Sequence, residues 1–417
     1  MRYLYTFLFY LALPLVFLRL LWRSRRLPAY RNRLHERFGY YSINLDRCFW
    51  VHAVSVGETM AALPLIRELQ KKYPDVPLVV TTMTPTGAAR VKAALGDSVF
   101  HLYLPYDLPA AVNRFLRAVK PKIALIMETE LWPNMFAACK QQGIPICLLN
   151  ARLSEKSARG YRRVGSLTRE MLSALQLIAA NAALDAERFV ALGALKERVI
   201  VTGNIKFDLD VPETLPDESL ALRAALGEER FIWIAASTHE GEEEQILAVH
   251  QKLRVQNPQA LLILVPRHPD RFDQVAKRCA REGVVLRRSD ASALDEKTGI
   301  YLGDTMGELL LLYSVADVAF VGGSLVPRGG HNILEPAALG KAIVVGPHLF
   351  NFTDIRDMFD AAHALITVAD ENALFSELVR LMRDANDREA MGQRALRAVN
   401  ANRGALTRQL NLVCELL

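Results

Sequence analysis

The sequence predicts an α/β protein of two domains, each built on a doubly wound parallel sheet, with an N-terminal membrane helix in front. Three observations carry that reading. Apolar segments of strand length alternate with helical segments in both halves of the chain, the pattern of parallel βα units. Polar and glycine-rich clusters fall at the carboxyl ends of those segments, where open parallel sheets hold ligands. The chain also begins with an almost wholly apolar stretch, Tyr3 to Leu18. With 417 residues and 51% hydrophobic content, it can bury a large core and form more than one domain.

The front end comes first. Residues 1–40 hold eight arginines, no lysine and one acid, Glu36, within a chain of net charge +6. A span needs roughly 20 apolar residues, so Tyr3 to Trp22 reaches that length only if Arg19 snorkels. No small-residue cleavage site follows, which argues against a removed signal peptide. Arg23, Arg25 and Arg26 keep the body on the cytoplasmic side by the positive-inside rule. A helix lying in the membrane interface is the alternative. The five cysteines are scattered and include no CxxC, consistent with a reducing compartment rather than a disulfide framework.

In the first half, strands are expected at 48–56, 77–83, 122–130, 145–152 and 175–181, with helices over 58–72 and from Thr84. Residues 210–219, with the run VPETLP, read as a linker. The second half restarts with strands at 231–238, 260–268, near 284–288, 317–324 and 342–347. The expected domains are therefore 1–22 (membrane anchor), 23–209 (acceptor-binding), 210–219 (linker) and 220–417 (donor-binding), with the last helix able to pack back on the first domain. A ligand site is expected in a cleft between the two halves.

The candidate site residues sit at strand ends. Glu58 follows Ser55-Val-Gly57 at a helix start, where the dipole keeps a carboxylate ionised; it reads as a general base or as a simple helix-terminal charge. Glu128 and Glu130 end an apolar strand, where acids are costly unless solvated or functional; strand alternation would put both on one side. Lys206 can offset phosphate or carboxylate charge. Asp208 and Asp210 mimic a metal-binding DxD, but on a linker. In the second half, Arg267 after Pro266 can pair with phosphate. Residues 303–309 are expected to open a helix over 305–313, its free amides forming an anion site. Gly322-Gly323 and Gly329-Gly330 let backbone approach a ligand. A helix is expected to start at His331-Asn332, with Glu335 about one turn inside it and able to bind ribose hydroxyls. His239, His268 and His331 come from separate loops and form no metal-binding spacing. No Walker lysine motif and no GxGxxG after a strand occurs, which disfavours ATP hydrolysis and dinucleotide redox chemistry.

Taken together, these segments resemble the bacterial Kdo (3-deoxy-D-manno-octulosonic acid) transferase family over nearly the whole chain. The resemblance rests on PAYRNRLHERFG (28–39), HAVSVGE (52–58), TTMTPTG (81–87), YLPYDLP (103–109), LIMETELWPN (125–134), NARLS (150–154), GNIKFD (203–208), STHEGEE (237–243), LVPRHP (264–269), GDTMGEL (303–309) and FVGGSLVPRGGHNILEPAA (320–338). It implies an inverting GT-B glycosyltransferase with two Rossmann-like domains, on the cytoplasmic face of the inner membrane through a single-pass or monotopic helix. It implies CMP-Kdo as donor and a tetra-acylated lipid A precursor as acceptor. Inner membrane lipids are partners, nucleic acid is not, and neither metal nor cofactor is implied. By the same resemblance Glu58 is the general base and Glu128 and Lys206 are transition-state stabilisers. Pro266, Arg267, Met306, Gly307, Glu308, Asn332, Ile333, Leu334 and Glu335 contact the CMP. The basic run Arg152 to Arg163 suits a phosphorylated glycolipid. Two other classes stay open: a nucleotide-sugar epimerase on the same fold, which needs no membrane segment, and a membrane-tethered nucleotide sensor, which needs no Glu58.

Overall fold

A computed structural model describes residues 1–290, 295 and 297–417. The chain forms two compact units, Met1–Asp208 with Arg403–Leu417, and Leu209–Asn402.

The first unit is a seven-stranded parallel sheet of β1 (Cys48–His52), β2 (Leu78–Thr82), β3 (Phe100–Tyr103), β4 (Pro121–Met127), β5 (Ile146–Ala151), β6 (Leu177–Ala180) and β7 (Val199–Val201), in the order β3-β2-β1-β4-β5-β6-β7. Both faces are covered by helices, so the strands read as continuous apolar runs. Alternation divides them: Cys48 and Trp50 enter one core layer, Phe49 and Val51 the other. The second unit repeats the design with β8 (Ile232–Thr238), β9 (Leu261–Pro266), β10 (Val285–Arg287), β11 (Ile300–Leu302), β12 (Val318–Val321), β13 (Ala342–Val345) and β14 (Ile366–Thr367), in the order β10-β11-β9-β8-β12-β13-β14. Here Trp233 and Ala235 face one layer and Ile232, Ile234 and Ala236 the other. The central switch in strand order falls between β1 and β4 in the first sheet and between β8 and β12 in the second, where β11 also inserts between β9 and the edge strand β10. Loops diverge at these points and leave room for a ligand.

Several expected boundaries differ. The short strands β3, β7, β11 and β14 carry only two to four residues, too few for a periodic signal. β1 ends at His52, and the helix Val56–Lys72 begins four residues later. The expected linker 210–219 is helical from Leu215, because that side chain is buried in the second unit's core and seeds the helix Leu215–Leu226. The C-terminal helix, Ala405–Cys414, belongs to the first unit and buries Ala405 and Val413 in its core. The N-terminal helix runs unbroken from Arg2 to Arg26 through Pro14.

Candidate functional site

The first unit gathers its charged candidates at the reversal between β1 and β4. Ser55 caps the helix Val56–Lys72 and Glu58 is its third residue. The Glu58 carboxylate turns back on the cap, accepting from the Val54 backbone N–H at 2.7 Å and from Ser55 Oγ at 2.8 Å. This is a capping box shifted back by one residue. The helix-terminal reading of Glu58 is thus met in geometry, but the electrostatics add something. Burial pushes the Glu58 pKa up, the bonds from Val54 and Ser55 pull it down, and the nearby Glu128 charge raises it again.

Glu128 does not sit on a strand. β4 stops at Met127, and Glu128 takes φ 57°, a left-handed conformation that costs about 1–3 kcal/mol and persists where the surroundings impose it. The expected strand alternation of Glu128 and Glu130 therefore fails. The turn instead brings Glu128 Oε1 to 3.2 Å from Lys206 Nζ. Lys206 lies on the short 3-10 turn Ile205–Phe207 after β7. Glu130 lies within reach of the Glu58 charge: burial first, then that charge, lifts its pKa to about 7.

The support of Lys206 left no signal in the sequence. Asn150, also left-handed at φ 51°, accepts from the Ile205 N–H at 3.0 Å. Gln409 on the C-terminal helix, fully buried, accepts from the Asn150 N–H at 3.1 Å and donates to Thr202 Oγ1 at 3.0 Å. Asp208 accepts from the Gly404 and Leu406 N–H groups, the latter at 2.6 Å. Asp208 is thus a brace for the loop rather than half of a metal-binding pair with Asp210. The three residues lie far apart in sequence, and only the fold joins them.

In the second unit the reversal between β8 and β12 holds a histidine cluster. His239 Nε2 and His331 Nε2 are 2.8 Å apart with stacked rings, and His268 meets His239 edge-on. Burial, helped by His268, Arg328, Arg271 and Arg267, pushes His239 down to about 4. Burial and Arg267 push His331 down to about 3. Both imidazoles are therefore neutral at physiological pH, one donating to the other. Among the described residues no group of three or more His, Cys, Asp or Glu is arranged to hold a metal ion.

The expected backbone anion sites are altered. Glu242, fully buried, accepts from the N–H groups of His239, Gly323, Ser324 and Leu325 at 2.8–3.2 Å. Those amides serve an internal carboxylate. A Cβ at position 322 would lie 2.9 Å or less from the carbonyls of Ala236 and Ser237, so Gly322 serves close backbone packing, not a ligand. The helix expected over 305–313 starts at Leu309. Gly307 takes φ 89°, and Glu308 is held outside the helix by Arg288, at 2.7 Å, and by Thr305. Met306 and Gly307 are exposed on this loop, while Glu308 is already ion-paired.

The helix after Gly330 starts at Leu334 and has five residues, so Glu335 is its second residue and not one turn in. Asn332 explains the shift: its Oδ1 accepts from the Leu334 N–H at 3.2 Å, and its Nδ2 donates to Glu335 Oε1 at 3.1 Å. Ile333 and Leu334 are buried. They contribute backbone to this turn and packing beneath it. Burial raises the Glu335 pKa, and the facing Arg267 lowers it. Arg267, exposed just beyond Pro266 at the end of β9, is thus near both Glu335 and His331. The cluster offers a cation, a carboxylate and neutral imidazoles, a set suited to a phosphate, ribose hydroxyls and a polar sugar.

The Glu130 shift has a testable consequence. The folded chain holds this proton up to about pH 7, whereas the ordinary value is 4.5. Between these values the folded state binds more protons than the unfolded one, so stability falls as pH rises and stays reduced above. Glu130→Gln, which mimics the protonated acid, is expected to raise the melting temperature at about pH 8 and change it little near pH 5. An equal gain at both pH values would contradict the assignment.

The profile of the family described as 3-Deoxy-D-manno-octulosonic-acid transferase (kdotransferase) matches residues 32–209. A 3-deoxy-D-manno-octulosonic acid transferase of Haemophilus influenzae is 43% identical over 99% of this chain and 98% of its own length. One from Bordetella pertussis is 37% identical over 87% of this chain and 86% of its own. Among solved structures, a UDP-GlcNAc 2-epimerase from Neisseria meningitidis superposes with TM-score 0.56 at 15% identity, covering 87% of this chain and all of that one. A glycosyltransferase from Rickettsia africae superposes with TM-score 0.54 at 13% identity, covering 90% of this chain and 99% of that one. At such identities these likenesses speak for the GT-B fold alone.

Proposed function

Since this chain belongs to the 3-deoxy-D-manno-octulosonic acid transferase family, we propose that it transfers Kdo from CMP-Kdo to the tetra-acylated lipid A precursor at the cytoplasmic face of the inner membrane. One observation carries the catalytic part of the reading. Glu58, Glu128 and Lys206 lie together at the strand-order reversal of the first sheet, on a buried carboxylate and a paired cation. Burial makes Glu58 more basic than an ordinary glutamate, which suits it to accept a hydroxyl proton.

In the proposed step Glu58 takes the proton from an acceptor hydroxyl as its oxygen bonds to the anomeric carbon of Kdo. The bond from that carbon to the phosphate oxygen breaks, and CMP leaves with the electron pair. One displacement inverts the anomeric centre. Lys206, oriented by Glu128, opposes the negative charge that develops, and fixed charges of this kind need no reorganisation during reaction. Arg267 pairs with the CMP phosphate and Glu335 accepts from the ribose hydroxyls. The exposed basic residues Arg152, Arg159, Arg162 and Arg163 attract the phosphates of the acceptor.

The test is purified enzyme with CMP-Kdo, with and without the lipid acceptor, scored by CMP release and product mass. Kdo-modified lipid with stoichiometric CMP supports the reading; CMP release without modified lipid defeats it. Glu335→Ala is expected to weaken CMP affinity by about tenfold or more, the loss of a charged hydrogen-bond acceptor, without unfolding the second unit. Unchanged affinity by calorimetry would remove Glu335 from the donor site.

A further inference from the structure

We propose that the N-terminal helix Arg2–Arg26 does not cross the bilayer but lies flat in the interface of one leaflet, with one face fixed to the first unit and the opposite face in lipid. By length and composition the helix is apolar enough to cross a membrane. Its length of about 37 Å exceeds the roughly 30 Å hydrocarbon core. Length and composition therefore allow crossing, and packing decides against it.

From Arg2 to Val16 one stripe of the helix rests, half-buried, on the first unit. Near its start, Arg2 pairs with Glu170 at 3.8 Å and Thr6 Oγ1 donates to Asn134 Oδ1 at 3.1 Å. Tyr5 packs on the first unit's core, and Phe9, Leu13 and Val16 pack on Tyr106, Leu108 and Ala111. Leu20 and Ser24 are buried, and Ser24 Oγ accepts from Arg31 at 2.9 Å. These positions recur every three or four residues and so share one helix face. Tyr3, Leu4, Phe7, Leu8, Leu11, Leu15, Leu18 and Trp22 are exposed on the other side, at 52–83% of full exposure.

A helix held on the first unit from Arg2 to Val16 cannot enter the hydrocarbon lengthwise without drawing its partners in. Those partners carry the acids Glu170 and Asp107 and the amide of Asn134, and placing charged and polar groups at that depth costs several kcal/mol. Lying in the interface avoids this, because only the apolar stripe needs to leave water. Exposed Arg19, Arg23 and Arg25 follow or interrupt the stripe, which suits an anionic headgroup layer rather than the neutral apolar face of a second copy. The inference rests on the membrane association proposed above and not on the sugar-transfer chemistry, so a failed transfer assay leaves it standing.

The experiment uses the full-length chain with Cys414→Ser, leaving the four buried cysteines, and one cysteine at a time at Leu4, Leu11 or Leu18. These positions lie seven residues apart on the exposed stripe and drift by only about 20° per heptad. Each is labelled with an environment-sensitive fluorophore on vesicles of about one part phosphatidylglycerol to three parts phosphatidylethanolamine. The vesicles carry spin labels either near the headgroup or near the acyl-chain end. All three sites are expected to be quenched alike by the shallow label, at a depth of about 5–10 Å. Deep quenching at Leu11 with shallow quenching at Leu4 and Leu18 would mean a spanning helix and overturn the proposal. Leu11→Glu with Leu15→Glu is expected to cut vesicle partitioning by about tenfold or more with an unchanged melting temperature, both side chains being exposed. Unchanged partitioning, or a dimer in sedimentation that the double variant abolishes, would overturn it as well.

Discussion

Glu58→Gln is expected to lower transfer by about 10²- to 10⁴-fold, the usual contribution of a positioned general base, while CMP affinity and fold stay nearly intact. The structure explains why this variant is clean. Glutamine keeps an oxygen that accepts from the Val54 N–H, the bond Glu58 makes at 2.7 Å. A capping box accepts Gln in this place as well as Glu, so the helix Val56–Lys72 keeps its start. What is lost is the basicity of the carboxylate, because an amide oxygen accepts hydrogen bonds but does not take up a proton near neutral pH. Transfer rates measured beside thermal melts separate chemistry from folding, and near-normal turnover would sink the assignment. A reciprocal effect is also expected. Glu58 is one of the charges that raise Glu130, so its neutralisation should bring the Glu130 titration down toward the ordinary carboxylate range.

Glu242→Ala is expected to cost about 3 kcal/mol or more of stability, among the largest effects of any single substitution here. The carboxylate has no access to water, and its oxygens accept from four backbone N–H groups on two loops. Its removal leaves buried donors without partners, each worth about 1–3 kcal/mol when orphaned. A cavity adds to the loss. Gly322 closes on the Ala236 and Ser237 carbonyls, so the loop cannot collapse far to find new acceptors. Glu242→Gln keeps one acceptor but turns an amide N–H₂ toward the other donors, and an intermediate loss is expected. Urea unfolding gives the measurement, and a midpoint within error of the unmodified protein would contradict this account. Because the same loops carry His239 and lead to His331, donor binding is expected to weaken with stability.

The sequence by itself determined the α/β alternation, the two sheets and the positions of their central strands. Long runs such as those at β4, β8 and β9 are apolar because helices cover both faces of a parallel sheet, and that pattern is local. The sequence likewise placed Glu58, Lys206, Arg267 and Glu335 after strands, and the family resemblance carried their expected roles. Tertiary structure decided what was not periodic. β3, β7, β11 and β14 are edge or near-edge strands of two to four residues, held by pairing with a neighbour rather than by their own pattern. Helix starts moved to Leu309 and Leu334 because side chains of Glu308 and Asn332 capture nearby groups, a contest among hydrogen bonds that propensity does not resolve. Glu128 left its strand because a left-handed turn brings it to Lys206. Gln409 became the brace of that lysine's loop across more than two hundred residues. The apolar N-terminal segment was legible as a membrane helix, but its hydropathy is blind to which face the folded unit claims. Periodicity records burial and not the identity of what buries, and for these residues only the packed chain supplies it.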